Sequence, residues 1–265
     1  MNRNWLMFTG CLLAQSVAQG PALAADLTAR QLTEQMYAAP AGSVPDFRAK
    51  DLSGLDLAGL DFKKATLTRA NLFGADLTNA DLSGADLSGA LLDRVVLIST
   101  RLDYANLEGA SLLRPSAFST LAAAGSEAPS FRAANMRGIR MFGRFTRADF
   151  SGADMTGATC APFGKTGFIE EIWRTELLGA NFSGATLKGA NLTHALLRFA
   201  DLKGANLQGA ILKDADLSGA DLTGADVSDA DFTGADLDGA NLTGANGLDR
   251  VKGLHLARNA SKMIR

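Results

Sequence analysis

Ala-Asp-Leu-Ser-Gly-Ala-Asp-Leu-Thr-Gly-Ala-Asp, residues 215–226, repeats itself every five positions. Leu217 and Leu222 are the centres of two blocks. Ala stands two places before each centre and Asp one place before; Ser or Thr follows, then Gly. The same period extends in both directions. One run has centres at Leu177, Phe182, Leu187, Leu192, Leu197, Leu202, Leu207, Leu212, Leu217, Leu222, Val227, Phe232, Leu237 and Leu242, with Ala two places earlier everywhere except Thr175. An earlier run has Phe47, Leu52, Leu57, Phe62, Leu67, Leu72, Leu77, Leu82, Leu87, Leu92, Leu97, Leu102, Leu107 and Leu112.

A period of five suits neither regular element. On a helix, five residues advance about 140° beyond a full turn, so the leucines would smear around the cylinder. Gly in most blocks would add about 1 kcal/mol each against Ala. In an uninterrupted strand, an odd spacing sends successive leucines to opposite faces. All of them face inward only if the chain turns once per block, where Gly and Asp or Asn tolerate the turn's backbone angles. Right-angled turns close after four blocks, so one coil takes about 20 residues. Leu then fills the tube, Ala fits beside the corner, and coils stack about 4.8 Å apart through parallel hydrogen bonds.

Two unbroken runs of this kind resemble the pentapeptide-repeat family, whose pattern is A-(D/N)-L-x-x. The resemblance implies an all-β fold, a right-handed quadrilateral β-helix, here with about nine coils and short helical caps. In the family's quinolone-resistance branch, an acidic rod imitates duplex DNA and binds type II topoisomerases in the cytoplasm. Some members pair through their C-terminal ends.

The pattern divides the chain into a leader (1–24), an N-terminal cap (25–44), a solenoid run (45–114), an excursion (115–130), irregular coils (131–160), an apolar excursion (161–175), a second solenoid run (176–246) and a C-terminal cap (247–265). Leu177 resumes the frame of Leu112, which favours one continuous solenoid over two domains. In the leader, Arg3 precedes the mostly apolar stretch Trp5 to Ala14, and Ala22-Leu23-Ala24 offers a small–x–small cleavage site. This reads as a secretory signal cut after Ala24, too short to span a bilayer, and predicts a periplasmic or secreted protein. Phe8-Thr9-Gly10-Cys11 is a weaker match to a lipid-attachment site. Without the leader one cysteine remains, Cys160, so no internal disulfide is expected.

In the N-terminal cap, Thr28-Ala29-Arg30-Gln31 fits a capping box, with Leu32 and Met36 an apolar i,i+4 pair. In the tail, Leu248, Val251 and Leu254 have helix-like spacing. The irregular coils have centres Phe131, Met136, Met141, Phe145, Phe150, Met155 and Cys160, with one residue missing between Met141 and Phe145.

No catalytic constellation emerges, no cofactor is expected, and the protein is read as a non-enzyme. His194, His255 and Cys160 share no metal-ligand spacing. A 20-residue coil lays Asp201 over Asp221 and Asp216 over Asp236; such ladders are either solvated turn residues or a calcium site. Arg132, Arg137, Arg140, Arg144 and Arg147 occur with no acid between Ser130 and Ala148, as ordinary surface or as a partner-binding face. Phe168 and Trp173, in the apolar excursion, are further contact candidates. The net charge of −2 gives no broad field for nucleic acid or an anionic membrane. The expectation is an exported, non-catalytic scaffold for an unidentified protein partner, without a membrane span, and a monomer or a C-terminal-end dimer. The alternatives are the cytoplasmic DNA mimic and an Asp-ladder calcium-binding envelope protein.

Overall fold

The computed structural model describes residues 25–40, 42–62, 64–120, 124–161 and 174–265. The leader, with its cleavage site, and Phe168 and Trp173 lie outside the described residues.

Blocks are joined by parallel bridges to blocks one coil away. Asp46 bridges Thr66, Asp51 bridges Asn71, Asp56 bridges Asp76 and Asp61 bridges Asp81, each pair 20 residues apart. These four residues begin the first, second, third and fourth sides of a four-sided tube. Leu202 and Leu222, centres on the fourth side, therefore lie on consecutive coils.

The five backbone N–H groups of one block show why the repeat has its composition. In Asp201–Ala205, Asp201 donates back to Ala180 O (3.0 Å), while Leu202 and Gly204 donate forward to Asp221 O (2.7 Å) and Thr223 O (2.9 Å). Ala205 closes the turn onto Leu202 O at 3.0 Å. That leaves Lys203 N–H, which the Asp201 carboxylate accepts at 3.0 Å. The acidic or amide residue thus caps the one donor that the ladder cannot satisfy, which completes the count for the block. Gly204 sits at φ 60, in the left-handed region. Its place is taken in other blocks by residues such as Asn79, Arg94 and His194, also at positive φ.

The Leu centres from Leu52 to Leu242, and each Ala two places before a centre, are buried, whereas Ala245, Leu248 and Leu254 toward the last coil are partly buried. The exceptional Thr175 is buried too, and its hydroxyl donates to Cys160 O at 2.5 Å.

The breaks are read directly from the bridge offsets. Arg101↔Ser130, Asn106↔Asn135 and Ser111↔Arg140 are 29 apart, because an insertion leaves the tube after Ala117 and returns at Ser130. The tube therefore runs past 115: Ser116 still bridges Val96, and Ala117 is buried. The insertion carries a single helical turn, Ala124–Glu127. Ser130↔Asp149 and its neighbours are 19 apart, the missing residue between Met141 and Phe145. There a strand β1, Ser111–Leu113, pairs in parallel with β2, Arg140–Phe142. Gly143 follows at φ 145, and a Cβ on it would lie 3.0 Å from Pro115 Cδ. Arg144↔Glu176 and the next three pairs are 32 apart, from the second insertion between Cys160 and Thr175; 20 is restored at Glu176↔Leu196. Three phenylalanine centres stack on the fourth side: Phe150 lies on Phe131 and on Phe182, each at 4.9 Å between ring centroids.

At the N-terminal end, α1 (Ala29–Ala38) starts with Thr28 and Gln31 in a reciprocal capping box. It buries Leu32 and Met36 in the core cluster. Asp26 N–H donates to Asp51 O at 2.7 Å, tying the segment to the first coil.

The C-terminal segment differs from its expected helix. Asp231↔Lys252, Asp236↔Arg258 and Asn241↔Ile264 are 21, 22 and 23 apart. Residues 246–264 form a further coil with sides of six residues, turned by 3-10 segments at Leu248–Arg250, Leu254–Leu256 and Ala260–Lys262. Gly247, Gly253 and Asn259, six apart, take the left-handed position before each. The apolar pairs Leu248/Val251, Leu254/Ala257 and Ala260/Met263 pack on the core from within this coil. The first side consequently has ten rungs among the described residues, from Asp46 to Asn246, where about nine were expected.

Candidate interaction surface

Five-residue sides sort the outward residues onto four separate faces. On the first side the residues flanking each centre are polar throughout, for example Asp86 and Ser88, Asn106 and Glu108, Asn206 and Gln208. Asn135 Nδ2 donates to Asn106 Oδ1 (2.9 Å), and Asn106 Nδ2 to Asp86 Oδ1 (3.0 Å). The fourth side is similar, with Lys203 bridging Asp201 (3.4 Å) and Asp221 (3.2 Å).

Outward apolar groups are more frequent on the second and third sides, though Tyr104, 71% exposed, stands at a corner of the fourth. The second carries Phe73 and Leu91, both exposed, with Leu113 in the next coil. The third carries Val96, Ile98, Phe118, Leu178 and Leu196, with Phe199 at its corner. Phe199 is 63% exposed, its ring lying against Gly219; Leu178 is 40% exposed. Both insertions border this side. The first leaves at its far edge, after Ala117, and the second enters at its near edge, before Thr175.

The five arginines of residues 132–147 do not share a face. Arg132 is on the fourth side, Arg137 on the first, Arg140 on the second and Arg144 on the third. Most are engaged. Arg137 pairs with Asp154 at 3.0 Å, Arg144 with Glu176 at 3.1 Å, and Arg140 Nη2 donates to Ser111 Oγ at 3.2 Å. Arg144 also lies over the Phe118 ring, 4.8 Å from its centroid. A single basic patch is thus not formed; a five-residue period carries neighbouring arginines around the tube.

Two arginines of that run do converge. Arg132 and Arg147, with Arg101, line a shallow groove of about 510 Å³ together with Asp103, Ser130 and Asp149, under Ala128 and Pro129. Its anchor is Asp103, whose side chain is only 8% exposed. The carboxylate accepts from Ser130 Oγ, from Arg132 N–H (3.1 Å) and from the Arg132 guanidinium (2.8 Å). Burial opposes its ionisation, but those hydrogen bonds outweigh it and hold its pKa below the ordinary aspartate value. Asp103 stands where many blocks have Ser or Thr. It supplies the cap for Arg132 N–H because Ser130 has replaced the usual Asp or Asn of the next coil. Asp93 does the same for Leu113 N–H (3.0 Å) opposite Ser111.

The aspartates considered as cation ligands have other partners. Lys203 lies between Asp201 and Asp221; Asp216 caps Ser218 N–H at 3.0 Å; Asp236 caps Asp238 N–H and accepts from Asn259 Nδ2 at 2.8 Å. Asp221 and Asp236 titrate below the usual value, Asp221 chiefly through Thr223 and Asp236 chiefly through Asn259. Among the described residues no group of three or more His, Cys, Asp and Glu side chains is placed to hold a metal ion. Cys160 is a buried centre whose thiol is pushed up to about 12 by burial. No helix among the described residues is long and apolar enough to cross a membrane.

The sorting of faces was open to sequence reasoning, since the side follows from position modulo 20. The insertions and the missing residue shift that count by 9, −1 and 12, and the bridges were needed to fix where each shift falls.

Comparison with known proteins agrees with the repeat. The chain is similar to HetL of the cyanobacterium Nostoc sp., a pentapeptide repeat protein involved in heterocyst differentiation regulation, at 25% identity over 88% of this chain and 94% of that one (TM-score 0.36). It is similar to full-length QnrB1, a plasmid-mediated fluoroquinolone resistance protein, at 20% identity over 73% and 89% (TM-score 0.35). A pentapeptide repeat protein of the Arabidopsis thaliana thylakoid lumen aligns at 22% identity over 47% and 88% (TM-score 0.25). No curated protein gives a significant sequence match. The family profile described as Pentapeptide repeats matches in eight copies over residues 51–89, 75–112, 175–214 and 210–246, together just over half of the chain. The chain belongs to the pentapeptide-repeat family.

Proposed function

We propose that this pentapeptide-repeat protein is an exported, non-catalytic scaffold that binds a protein partner through the third side of its tube. One observation carries the reading: among the described residues, outward apolar groups are absent from the first side and most frequent on the second and third, with Leu178 and Phe199 just past the second insertion. A rod that needed only to fold would have no reason to leave Leu178 and Phe199 in water beside otherwise polar faces. Export is supported by Arg3, the apolar stretch Trp5 to Ala14 and Ala22-Leu23-Ala24.

Site-specific photo-crosslinking tests the reading in cells. Crosslinkers at Leu178 and Phe199 are expected to trap protein, and one at Lys188 on the first side is not. Equal yields from both faces, or none from either, refute it. N-terminal sequencing of the accumulated protein tests export, with Ala25 expected as the first residue.

The acidic last coils favour a second reading. Asp214, Asp216, Asp221, Asp226, Asp229, Asp231, Asp236 and Asp238 concentrate charge as in a DNA mimic that binds type II topoisomerase. That reading requires a cytoplasmic protein with residues 1–24 retained, so cell fractionation separates the two.

Pairing of two copies through the C-terminal coil completes the proposal. In that coil Leu256 and Ile264 are 56% and 54% exposed. Light scattering is expected to report a dimer, and Leu256→Glu with Ile264→Glu a monomer; a wild-type monomer at micromolar concentration refutes the pairing.

A further inference from the structure

We infer that the partner segment received by the third side is acidic and amphipathic, a short stretch alternating carboxylates with apolar side chains. This deepens the scaffold reading and rests on it.

Charge along this one face is uneven. Its first coils present Asp56 and Asp76; its last present Asp216, Asp236 and Asp238 together with Arg258 and with Lys262, which pairs with Asp238 at 3.3 Å. Between them the face presents Arg144 and Arg198, each about half exposed, and Arg147 at its corner; Glu176 is the acid of that middle stretch. Arg198 is only loosely held, 3.8 Å from Asp216, and its guanidinium lies 5.8 Å from the Phe199 ring. The cationic stretch coincides with the apolar one, in the rungs from Val96 to Leu196. Five rungs at the usual coil spacing measure about 20 Å, the length of ~6 extended residues. A ligand matched to this face therefore needs apolar groups for Leu178 and Phe199 and carboxylates for Arg144 and Arg198, over the length of those rungs.

An anionic bilayer also offers negative charge and apolar depth. It is flat and long, however, so docking the middle of the face brings the acidic first coils, with Asp56 and Asp76, toward the headgroups, where repulsion opposes binding. A short segment avoids that end.

The test uses the full chain and a labelled peptide of alternating glutamate and leucine, about eight residues long, followed by fluorescence anisotropy. The matching lysine–leucine peptide and vesicles containing phosphatidylglycerol are the comparisons. Binding of the acidic peptide is expected to weaken with salt, to fall about tenfold or more in Arg198→Glu/Phe199→Ser, and to persist in Lys188→Glu on the first side. Both altered residues are outside the core, so the variant keeps its fold, which circular dichroism checks. No binding, equal binding of the lysine peptide, equal loss in Lys188→Glu, or binding to vesicles alone overturns the inference. So does binding that appears only when residues 162–173 are deleted, since the face would then belong to the chain's own insertion. Crosslinks from Phe199 to a segment without carboxylates sink this inference while leaving the scaffold reading intact; absence of crosslinks sinks both.

Discussion

Replacing Asp103 by Ala is expected to destabilise the tube by about 2–3 kcal/mol, far more than replacing an ordinary capping aspartate. The figure is built from its partners. Arg132 is 57% exposed, so the ion pair contributes at most about 1 kcal/mol after solvent screening. Arg132 N–H and the Ser130 hydroxyl lose their acceptor beside a carboxylate that is 8% exposed, at ~1 kcal/mol each. Asp103→Asn keeps an acceptor for the turn and should lose about 1 kcal/mol. Asp201→Ala, at an exposed cap, should lose about 0.5–1 kcal/mol. Urea unfolding of the full chain measures the totals, and hydrogen exchange at 130–132 places the loss locally, since solenoid coils contact only their neighbours. The pH dependence has a definite sign. Asp103 has a depressed folded pKa, so its stabilisation is present above the unfolded aspartate value, about 3.9, and is lost as pH falls through the folded one. The gap between wild type and Asp103→Asn should therefore close in acid. A loss for Asp103→Ala no larger than that of Asp201→Ala would refute the argument.

Phe150→Ala should lose about 3–5 kcal/mol, because it opens a cavity and removes two ring stacks, whereas Phe150→Leu restores the common centre at ~1 kcal/mol; thermal unfolding compares them. Gly253→Ala should destabilise by more than Gly209→Ala in urea unfolding: both have positive φ, but a Cβ at 253 would lie 2.8 Å from the Thr233 backbone, while 209 has open space. Cys160, buried with its thiol near 12, should resist alkylation at neutral pH until the protein unfolds, as mass spectrometry with and without denaturant would report.

The period of five was enough to derive a closed tube with inward Leu and Ala, because only a turn in every block puts every centre inside; the stacking of Leu202 on Leu222 followed from right-angled turns, which the family resemblance supported. It was not enough for three features. The capping role of Asp and Asn was masked by their general preference for turns, and became visible only when the ladder left Lys203 N–H without a carbonyl. The last coil was mistaken for helix because Leu248, Val251 and Leu254 are three apart; the better signal was Gly247, Gly253 and Asn259, six apart. The basic run lost its meaning as a patch because Arg132, Arg137, Arg140 and Arg144 point to four different sides.

The widening of the final coil governs how rods meet end to end. Its sides of six residues give it a longer perimeter than the first coil, whose sides have five. A second rod laid head to tail would match donors and acceptors at one corner and miss them progressively around the square, and α1 stands over its leading end besides. Two identical wide ends have equal perimeters and suffer no such mismatch. Side length thus opposes head-to-tail fibre growth, and α1 over the leading end adds to it.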